Sequence, residues 1–436
     1  MSLHFDVPDD ALRPPPPGRP HKGPARIYRP TETAGVAEVV REAADAAVWL
    51  DSPCAPARRD DDSDPAGREC WRISLEHMTR VLEVDRPRRC VRVQAGLRVG
   101  DLVTALAHHG LSLPSVTPPL ALSVAGAVSR TSLASHVDAL AVVMASGAIV
   151  ELTPDGDALL MRAALQGFGA VGVVTEVTLR VVDSATWCVQ RERLPLEVAA
   201  SRFVAAAEND PEAQRHALVW WPHCAWAIAE RTDFQVDGRA PAHDAKPARA
   251  RLWPERLASA LVLVSARWPE LLRWLQPLAA RLSPPTGTSM DAATSVQNAR
   301  ERPAPWRLDA TVPLQQVASA LRAVTPLLRS AGAHLTRPVR VRAMPPSVSL
   351  LSLDQGRVMA LLSVCSTSDE VEPTLRARLI AVLVEHDARP TAPQTSWSDV
   401  LAEDAAERAT ALLSLSQRVD PAGLFRGPAF LRLFSP

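Results

Sequence analysis

The sequence predicts an α+β fold of more than one domain, for three reasons. The chain has 436 residues, 47% of them hydrophobic, which suffices for large cores and exceeds the length of one average domain. In its first part, apolar residues alternate with the period of a strand between short amphipathic helical stretches. From about residue 184, tryptophan-rich strand-like segments follow, and residues 373–436 have helical periodicity.

These changes of pattern predict four segments. We expect a disordered N-terminal tail at 1–22, a first domain at 23–183, a second domain at 184–372 and a C-terminal helical segment at 373–436 that packs back on the first domain. Within the second domain, a stretch rich in proline, alanine and arginine at 237–256 has the composition of a flexible loop.

The first domain is predicted to begin with a strand, a helix and a second strand. Residues 25–30 read as the first strand, and Thr33 is placed to cap a helix. Residues 47–50 read as the second strand. The helix has an apolar stripe made of Val36, Val39, Val40 and Ala43.

Further elements follow in the first domain, each with a recognisable period or terminus. They are a strand at 90–96, a helix at 101–109, a hairpin at 140–152 that turns at Ser146-Gly147, a helix at 157–166 and a strand at 173–181. In the second domain, residues 219–221, 226–228 and 338–342 are predicted strands.

The composition of the chain favours a protein that acts on or binds a small molecule. Lys+Arg and Asp+Glu each total 48, so no net charge attracts the chain to nucleic acid or to an anionic membrane. The six cysteines contain no CxxC pair, which argues against a zinc site or a disulfide scaffold. Residues 1–21 lack the apolar core of a signal peptide. We expect a small-molecule partner, no metal, no nucleic acid, no membrane and a cytoplasmic location.

Four stretches together resemble one known family. They are residues 73–102, residues 123–128 (Ser-Val-Ala-Gly-Ala-Val), residues 167–179 (Gly-Phe-Gly-Ala-Val-Gly-Val-Val-Thr-Glu-Val-Thr-Leu) and the closing Asp-Pro-Ala-Gly-Leu-Phe at 420–425. Their order and spacing are similar to those of the vanillyl-alcohol-oxidase, or PCMH-type, FAD-linked oxidases, in particular the alditol and aldonolactone oxidase branch.

The resemblance implies a two-lobed PCMH-type FAD-binding domain, an inserted antiparallel-sheet substrate domain and a C-terminal helical return. It implies FAD as the cofactor, bound between the two lobes. The residues that it places at the cofactor are Ser52, Cys54, Ser123, Gly126, Gly169, Val174 and Thr175. For the glycine run 167–172 two interpretations stay open: a close approach to the flavin ring, or a tight turn from helix to strand.

The expected phosphate-binding loop departs from the family pattern. Where the family has a glycine-rich nest of backbone amides, this chain reads Leu-Asp-Ser-Pro-Cys-Ala at 50–55. Pro53 has no N–H, and the carboxylate of Asp51 repels phosphate. A like charge about 5 Å away at an effective dielectric of about 20 costs roughly 3 kcal/mol. FAD binding is therefore expected to be weakened.

The expected catalytic motifs also depart from the pattern. The loop that covers the flavin in the family is missing after Ser129, and Ser132 matches a family serine. The family has a glutamate and an arginine two residues apart on one strand. Here Arg340 stands in place of the glutamate, and Arg342 matches the arginine. Farther on, the region where the family has a lysine motif contains Gln394. The candidate catalytic residues are Arg342, Arg340, Ser132, His136 and Gln394. Strand alternation places both arginines on one face. Two interpretations stay open: they line a cationic pocket that binds an anionic or carbonyl oxygen, or they are solvated side chains on an exposed face.

Three hypotheses remain open from the sequence. The first is a degenerate scaffold repurposed as a non-redox enzyme, such as a cyclase or isomerase, or as a binding protein for an apolar ligand, with His136, His334 and Asp309 as acid/base candidates. The second is a functional FAD-dependent oxidoreductase that oxidises a CH–OH group of an alditol- or lactone-like substrate. The third is an inactive subunit that pairs with an active relative, and a homodimer is a further expectation.

Overall fold

The structure, a computed structural model, describes most of the chain in separate stretches. They are residues 26–51, 69–114, 120–130, 132–167, 169–183, 186–210, 215–235, 272–282, 287–291, 306–330, 335, 337–346, 357–366, 373–390, 403–427 and 430. The predicted N-terminal tail and the predicted loop 237–256 lie outside these residues.

The helices of the described residues are short to medium in length. In chain order they are Thr33–Asp45 (α1), Val99–His108 (α2), Val124–Arg130 (α3), Ala158–Gln166 (α4), Leu196–Asn209 (α5), Leu272–Leu282 (α6), Val317–Leu328 (α7), Pro373–Val384 (α8) and Glu403–Val419 (α9). None of them is long and apolar enough to cross a lipid bilayer.

Strands of the first part form three sheets. Arg26–Tyr28 (β1), Trp49–Asp51 (β2) and Cys70–Ile73 (β3) make a parallel sheet in the order β1-β3-β2. A five-stranded antiparallel sheet, the first sheet, has the order β4-β5-β9-β7-β8. Its strands are Val81–Asp85 (β4), Cys90–Gln94 (β5), Val137–Val143 (β7), Ile149–Leu152 (β8) and Val173–Arg180 (β9). Leu111–Ser112 (β6) pairs with Val182–Asp183 (β10).

Later strands form an eight-stranded sheet, the second sheet, in the order β14-β11-β13-β12-β16-β17-β15-β18. Neighbouring strands of this sheet pair antiparallel. The strands are Thr186–Pro195 (β11), His216–Trp220 (β12), Trp226–Gln235 (β13), Gly287–Asp291 (β14), Trp306–Pro313 (β15), Val339–Met344 (β16), Met359–Ser366 (β17) and Arg389–Pro390 (β18).

Local sequence explains why several of these elements form. The Asp157 carboxylate accepts a hydrogen bond from the Leu160 amide at 2.9 Å and so caps α4. On β9, Val173, Thr175, Val177 and Leu179 are buried in alternation with less buried residues, as the strand period predicts.

One local prediction is wrong. Thr33 is the first residue of α1 rather than its cap: Glu32 holds the cap position without a side-chain bond, and the Thr33 hydroxyl donates to Glu176 Oε1 at 2.8 Å. Residues Ser132–His136 form a short 3₁₀ helix that leads into β7 at Val137.

Two hydrophobic cores are present among the described residues. The first contains α1, α2, α3, α4 and the first sheet, together with Leu412, Leu415 and Leu424 from the end of the chain. The second contains α5, α7, α8 and the second sheet. Helix α8 contributes Leu375 and Leu379 to the second core, whereas the boundary expected at residue 372 assigns it to a segment on the first domain.

The second sheet has two different faces. On β16, the buried side chains Val339, Val341 and Ala343 point to the second core with α5, α7 and α8. Alternation therefore sends Arg340 and Arg342 to the opposite face. We call this opposite face the polar face, because β15 and β17 also place polar side chains there.

Candidate active site

The glycine run before β9 forms a tight turn. Gly169 and Gly172 have φ of +81° and +148°, which disfavour residues with a Cβ. The Ala170 amide donates to the Gly167 carbonyl at 3.0 Å. A Cβ at Gly172 would lie 2.5 Å from the Val143 carbonyl oxygen, so this glycine lets the turn pass close to β7. The run therefore makes a tight turn from helix to strand, and its approach to a flavin ring stays a prediction.

Thr175 ties strands together inside the first core. It is fully buried, and it is the extra residue of a β-bulge between the pairs Val142↔Val174 and Ala141↔Glu176. Its hydroxyl donates to the Ala141 carbonyl at 3.2 Å, and its carbonyl accepts from the Ala95 amide at 2.9 Å. Both oxygen atoms are thus engaged within the protein, and Thr175 has a structural role in the sheet; its contact with the cofactor stays a prediction. Val174 next to it is only partly buried.

Ser123 and Gly126 lie at the beginning of α3. The Ser123 hydroxyl accepts a hydrogen bond from the Gly126 amide at 3.1 Å and so serves as a helix cap. Where a Cβ of Gly126 would stand, the Ser123 Oγ at 3.2 Å is the one heavy atom within 4 Å beyond the glycine's own neighbourhood. A Cβ at position 126 would press on the Ser123 hydroxyl, so the glycine leaves room for this cap.

The end of β2 carries a compensated negative charge. Asp51 is buried, with 8% of its surface exposed, and it pairs with Arg72 in the parallel ladder. The Arg72 Nη2 atom lies 3.3 Å from Asp51 Oδ2. Because this guanidinium offsets the carboxylate, the repulsion of phosphate expected from Asp51 is smaller than the sequence alone predicts.

The closing signature of the chain holds β2 in place. Asp420 is fully buried, and its two carboxylate oxygens accept the amides of Leu424 and Phe425, each at 2.9 Å. The Leu424 carbonyl in turn accepts the Leu50 amide at 2.8 Å. The Asp-Pro-Ala-Gly-Leu-Phe segment therefore positions the strand that leads into the expected phosphate-binding loop.

The predicted residues of the loops are only partly visible. Ser52, Cys54, Gln394 and His334 lie outside the described residues. Ser132 begins the 3₁₀ helix Ser132–His136, and nothing is described of its side chain.

His136 is shielded, and no protein group engages its ring on one side. Its Nε2 is buried without a hydrogen-bond partner among the described residues. Burial, together with the positive charge of Arg180, lowers the pKa of His136 to about 4, so the ring is neutral at pH 7. The neighbouring Asp138 is bound to Arg180, with a distance of 3.1 Å between Oδ1 and Nε. With Asp138 bound to Arg180 and His136 Nε2 without a partner among the described residues, these two side chains are not arranged as the acid and base of a nucleophilic triad.

Arg340 and Arg342 are the candidates that the structure brings together on the second sheet. Both are partly exposed on the polar face, one strand repeat apart on β16. In the ladder, Arg340 lies opposite Ser363 on β17, and Ser363 lies opposite Asp309 on β15. Ser363 was not expected from the sequence, because strand order and register across β15, β16 and β17 are not encoded in any local motif.

A separate cleft of about 520 Å³ lies beside α5 and strands β11, β12 and β13. Its charged lining residues already have counter-charges from the protein. The pairs are Arg202–Glu192 at 2.7 Å, Arg191–Glu230 at 2.7 Å and His216–Asp210 at 2.9 Å. The polar face stays the candidate site because it carries Arg342, which the family resemblance places in catalysis, with Arg340 beside it. Among the described residues, no group of three or more His, Cys, Asp or Glu side chains is placed to hold a metal ion.

Comparison with known proteins agrees with this two-part arrangement. Residues 24–153 match the family described as FAD binding domain, and residues 177–372 match the family described as D-arabinono-1,4-lactone oxidase. The first match spans β1 to β8, and the second spans most of the second sheet. The chain thus matches a flavin-binding type of domain around the first sheet and a lactone-oxidase type of family over the second sheet.

Individual relatives have related names. An L-gulono-1,4-lactone dehydrogenase of Mycobacterium tuberculosis is 24% identical over 361 residues, 80% of this chain and 81% of that protein. A mitochondrial L-galactono-1,4-lactone dehydrogenase of Brassica oleracea is 33% identical over 173 residues, or 38% and 27% of the two chains. An L-gulonolactone oxidase of Mus musculus is 32% identical over 129 residues, or 28% and 29%. The matched part spans less than a third of the last two relatives. The chain belongs to the PCMH-type FAD-linked oxidase family, in its alditol and aldonolactone branch.

Proposed function

We propose that the protein is an FAD-dependent oxidoreductase that oxidises a CH–OH group of an aldonolactone-like substrate. The observation that carries the proposal is the polar face, where Arg340 and Arg342 project together from one strand of a sheet that matches the lactone-oxidase family. Guanidinium groups bind carbonyl and hydroxyl oxygens with directed hydrogen bonds. Arg342 orients the substrate in this proposal, and Arg340 adds a second cation beside it.

Two features of the described residues fit a flavin dinucleotide. Gly126 is partly exposed near the beginning of α3, and the Arg72 guanidinium offsets Asp51 at the end of β2. These residues are the ones that we propose to hold the cofactor, with Ser123 fixing the turn of Gly126. When bound, oxidised flavin supplies a two-electron acceptor for a hydride from carbon.

The test begins with the cofactor. The purified protein is expected to bind FAD in a 1:1 ratio, measured as visible absorption with and without added FAD. The flavin is then expected to lose its yellow colour when L-gulono- or L-galactono-1,4-lactone is added without oxygen. Because the relatives' names include both oxidases and dehydrogenases, reoxidation should be compared with oxygen and with an artificial dye. A protein that binds FAD but is reduced by no lactone contradicts the proposed substrate class.

The scaffold hypothesis remains a second candidate, and one observation favours it. Asp51 leads directly into the segment where the family has its glycine nest, and a carboxylate there weakens the binding of phosphate even when Arg72 offsets part of its charge. This candidate predicts a colourless protein that does not bind FAD at 100 μM. The absorption measurement therefore separates the two functions. The cytoplasmic location and the homodimer stay predictions.

A further inference from the structure

The polar face of the second sheet contains a carboxylate as well as arginines. On β15, Leu308, Ala310 and Val312 point into the second core, so Asp309 points to the polar face with Arg340. The register places Asp309 opposite Ser363, and Ser363 opposite Arg340. Because neighbouring strands are about 4.8 Å apart, Asp309 and Arg340 flank Ser363 at a distance that a small substrate can bridge.

One oxygen of this carboxylate is left without a protein donor. Asp309 Oδ2 accepts a hydrogen bond from Arg307 Nε at 2.6 Å. Asp309 Oδ1 is shielded from solvent and has no hydrogen-bond partner among the described residues. Leaving a shielded carboxylate oxygen without a hydrogen-bond donor costs free energy. A bound ligand that donates a hydrogen bond to this atom would remove that cost.

The charged groups around this oxygen form one cluster. Cys365 lies opposite Arg307 in the ladder between β15 and β17. Burial raises the pKa of the Cys365 thiol, and the charges of Arg307, Asp309 and Arg340 act on it as well. The thiol is therefore protonated at pH 7, and Asp309 is the proton acceptor within this group of residues.

We propose that Asp309 accepts the proton of the substrate hydroxyl group that is oxidised. This inference rests on the proposed function. In the oxidation of a secondary alcohol to a ketone, bound FAD would supply the acceptor for the hydride that leaves carbon, and Asp309 Oδ1 would take the hydroxyl proton as the carbon–oxygen double bond forms. Arg340 holds the oxygen atom across Ser363. The carboxylate that the family resemblance expects on the strand of Arg342 is thus supplied from two strands away.

The same placement suggests the kind of substrate that suits the face. Arg307 binds the Asp309 carboxylate on β15, and Arg340 lies across Ser363 from it, an arrangement that suits a neutral lactone with neighbouring hydroxyl groups better than an apolar ligand. Asp309→Asn keeps the size of the side chain and removes the acceptor charge. Asp233→Asn is a matched control, because Asp233 lies on β13 of the same sheet, is 23% exposed against 20% for Asp309, and is likewise bound by an arginine, Arg231 at 3.0 Å.

The experiment compares the FAD-loaded wild type with both variants by anaerobic stopped-flow. We expect Asp309→Asn to lower the rate of flavin reduction by L-gulono-1,4-lactone at least 100-fold. FAD content and the lactone dissociation constant, measured by flavin absorption and tryptophan fluorescence, are expected to change less than threefold. Asp233→Asn is expected to reduce its flavin at the wild-type rate.

Several outcomes overturn the inference. Equal reduction rates in Asp309→Asn and the wild type exclude Asp309 as the proton acceptor and leave the proposed function intact. A wild type that binds no FAD, or whose flavin no lactone reduces, overturns the proposed function and this inference with it. If Asp309→Asn does not fold, Asp309→Glu is used, and a reduction rate equal to that of the wild type with this displaced carboxylate counts against Asp309.

Discussion

The two large sheets use their family-like residues in different ways. Around the first sheet, the residues of the recognisable motifs are buried and bound to other parts of the chain: Thr175 to Ala141 and Ala95, and Asp420 to the Leu424 and Phe425 amides. On the second sheet, polar residues lie on a face directed away from the core. Motif residues around the first sheet thus stabilise the fold, and we call this region the frame. Chemistry is expected from the second sheet.

Because the two regions use their residues differently, a residue that departs from the family motif has a different meaning in each of them. A substituted residue in the frame must be compensated by packing or charge, as Arg72 compensates Asp51. A substituted residue on the polar face can be compensated by any neighbour in the ladder, as we infer for Asp309. The absence of a family residue at one position therefore does not establish loss of activity.

The strongest test of the frame interpretation is Gly172→Ala. The residue has φ of +148°, and a Cβ would lie 2.5 Å from the Val143 carbonyl oxygen. We expect a loss of about 4 kcal/mol in the free energy of unfolding, measured by urea titration. Gly35→Ala is the control, because that glycine is inside α1 with Pro30 Cβ at 3.4 Å, and it should stabilise by up to about 1 kcal/mol. Equal stability of the two variants contradicts the interpretation.

Asp420→Ala tests the closing signature. Removing the carboxylate leaves the buried amides of Leu424 and Phe425 without acceptors, which is expected to cost about 3 kcal/mol. Asp157→Ala removes a helix cap at an exposed position and is expected to cost about 1 kcal/mol. Thermal unfolding of both variants gives the comparison. A wild-type melting temperature for Asp420→Ala means that the signature does not hold β2.

His136 gives the frame a pH dependence. Its pKa falls from 6.5 in the unfolded chain to about 4 in the fold, so the unfolded state binds its proton first as the pH is lowered. The wild type should lose about 2 kcal/mol of stability between pH 6.5 and pH 4, after allowance for partial solvent exposure. The loss is absent above pH 6.5 and constant below pH 4.

His136→Gln isolates this effect. The variant cannot titrate in this range, so its unfolding free energy should fall by about 2 kcal/mol less than that of the wild type between pH 7 and pH 4.5. Other titrating groups, including Asp138 beside Arg180, remain in both proteins and cancel in the difference. Parallel curves for the two proteins would exclude a neutral, shielded His136 in the folded state.

The sequence predicts elements well where one local period decides them. The alternation of Val173 to Leu179 and the helix at 157–166 depend on neighbouring residues alone, and both are confirmed, with Asp157 as the cap of the helix. The strand order of the second sheet depends on contacts between distant segments, so the neighbourhood of Asp309, Ser363 and Arg340 had no signal in the sequence. The pairing of Arg72 with Asp51 also depends on contact between distant segments, so the sequence did not predict it.

The smallest expected effect concerns this last pair, and it links the frame to the cofactor. Arg72 is 40% exposed on its side chain and Asp51 10%, so Arg72→Gln is expected to cost only about 1 kcal/mol of stability. FAD affinity, measured by absorption titration, is expected to fall about tenfold, because the carboxylate is no longer offset near the phosphate-binding segment.

The double variant Asp51→Asn/Arg72→Gln shows whether Arg72 acts on FAD through the charge of Asp51 or by direct contact. If Asp51 weakens FAD binding only through its charge, the double variant should regain most of the lost affinity, and the coupling energy of the cycle measures how far the two residues act together. If the double variant binds FAD no better than Arg72→Gln, the guanidinium itself contacts the cofactor. In that case Arg72 has taken over work that the glycine nest performs in relatives of this family, and the frame region carries a functional residue of its own.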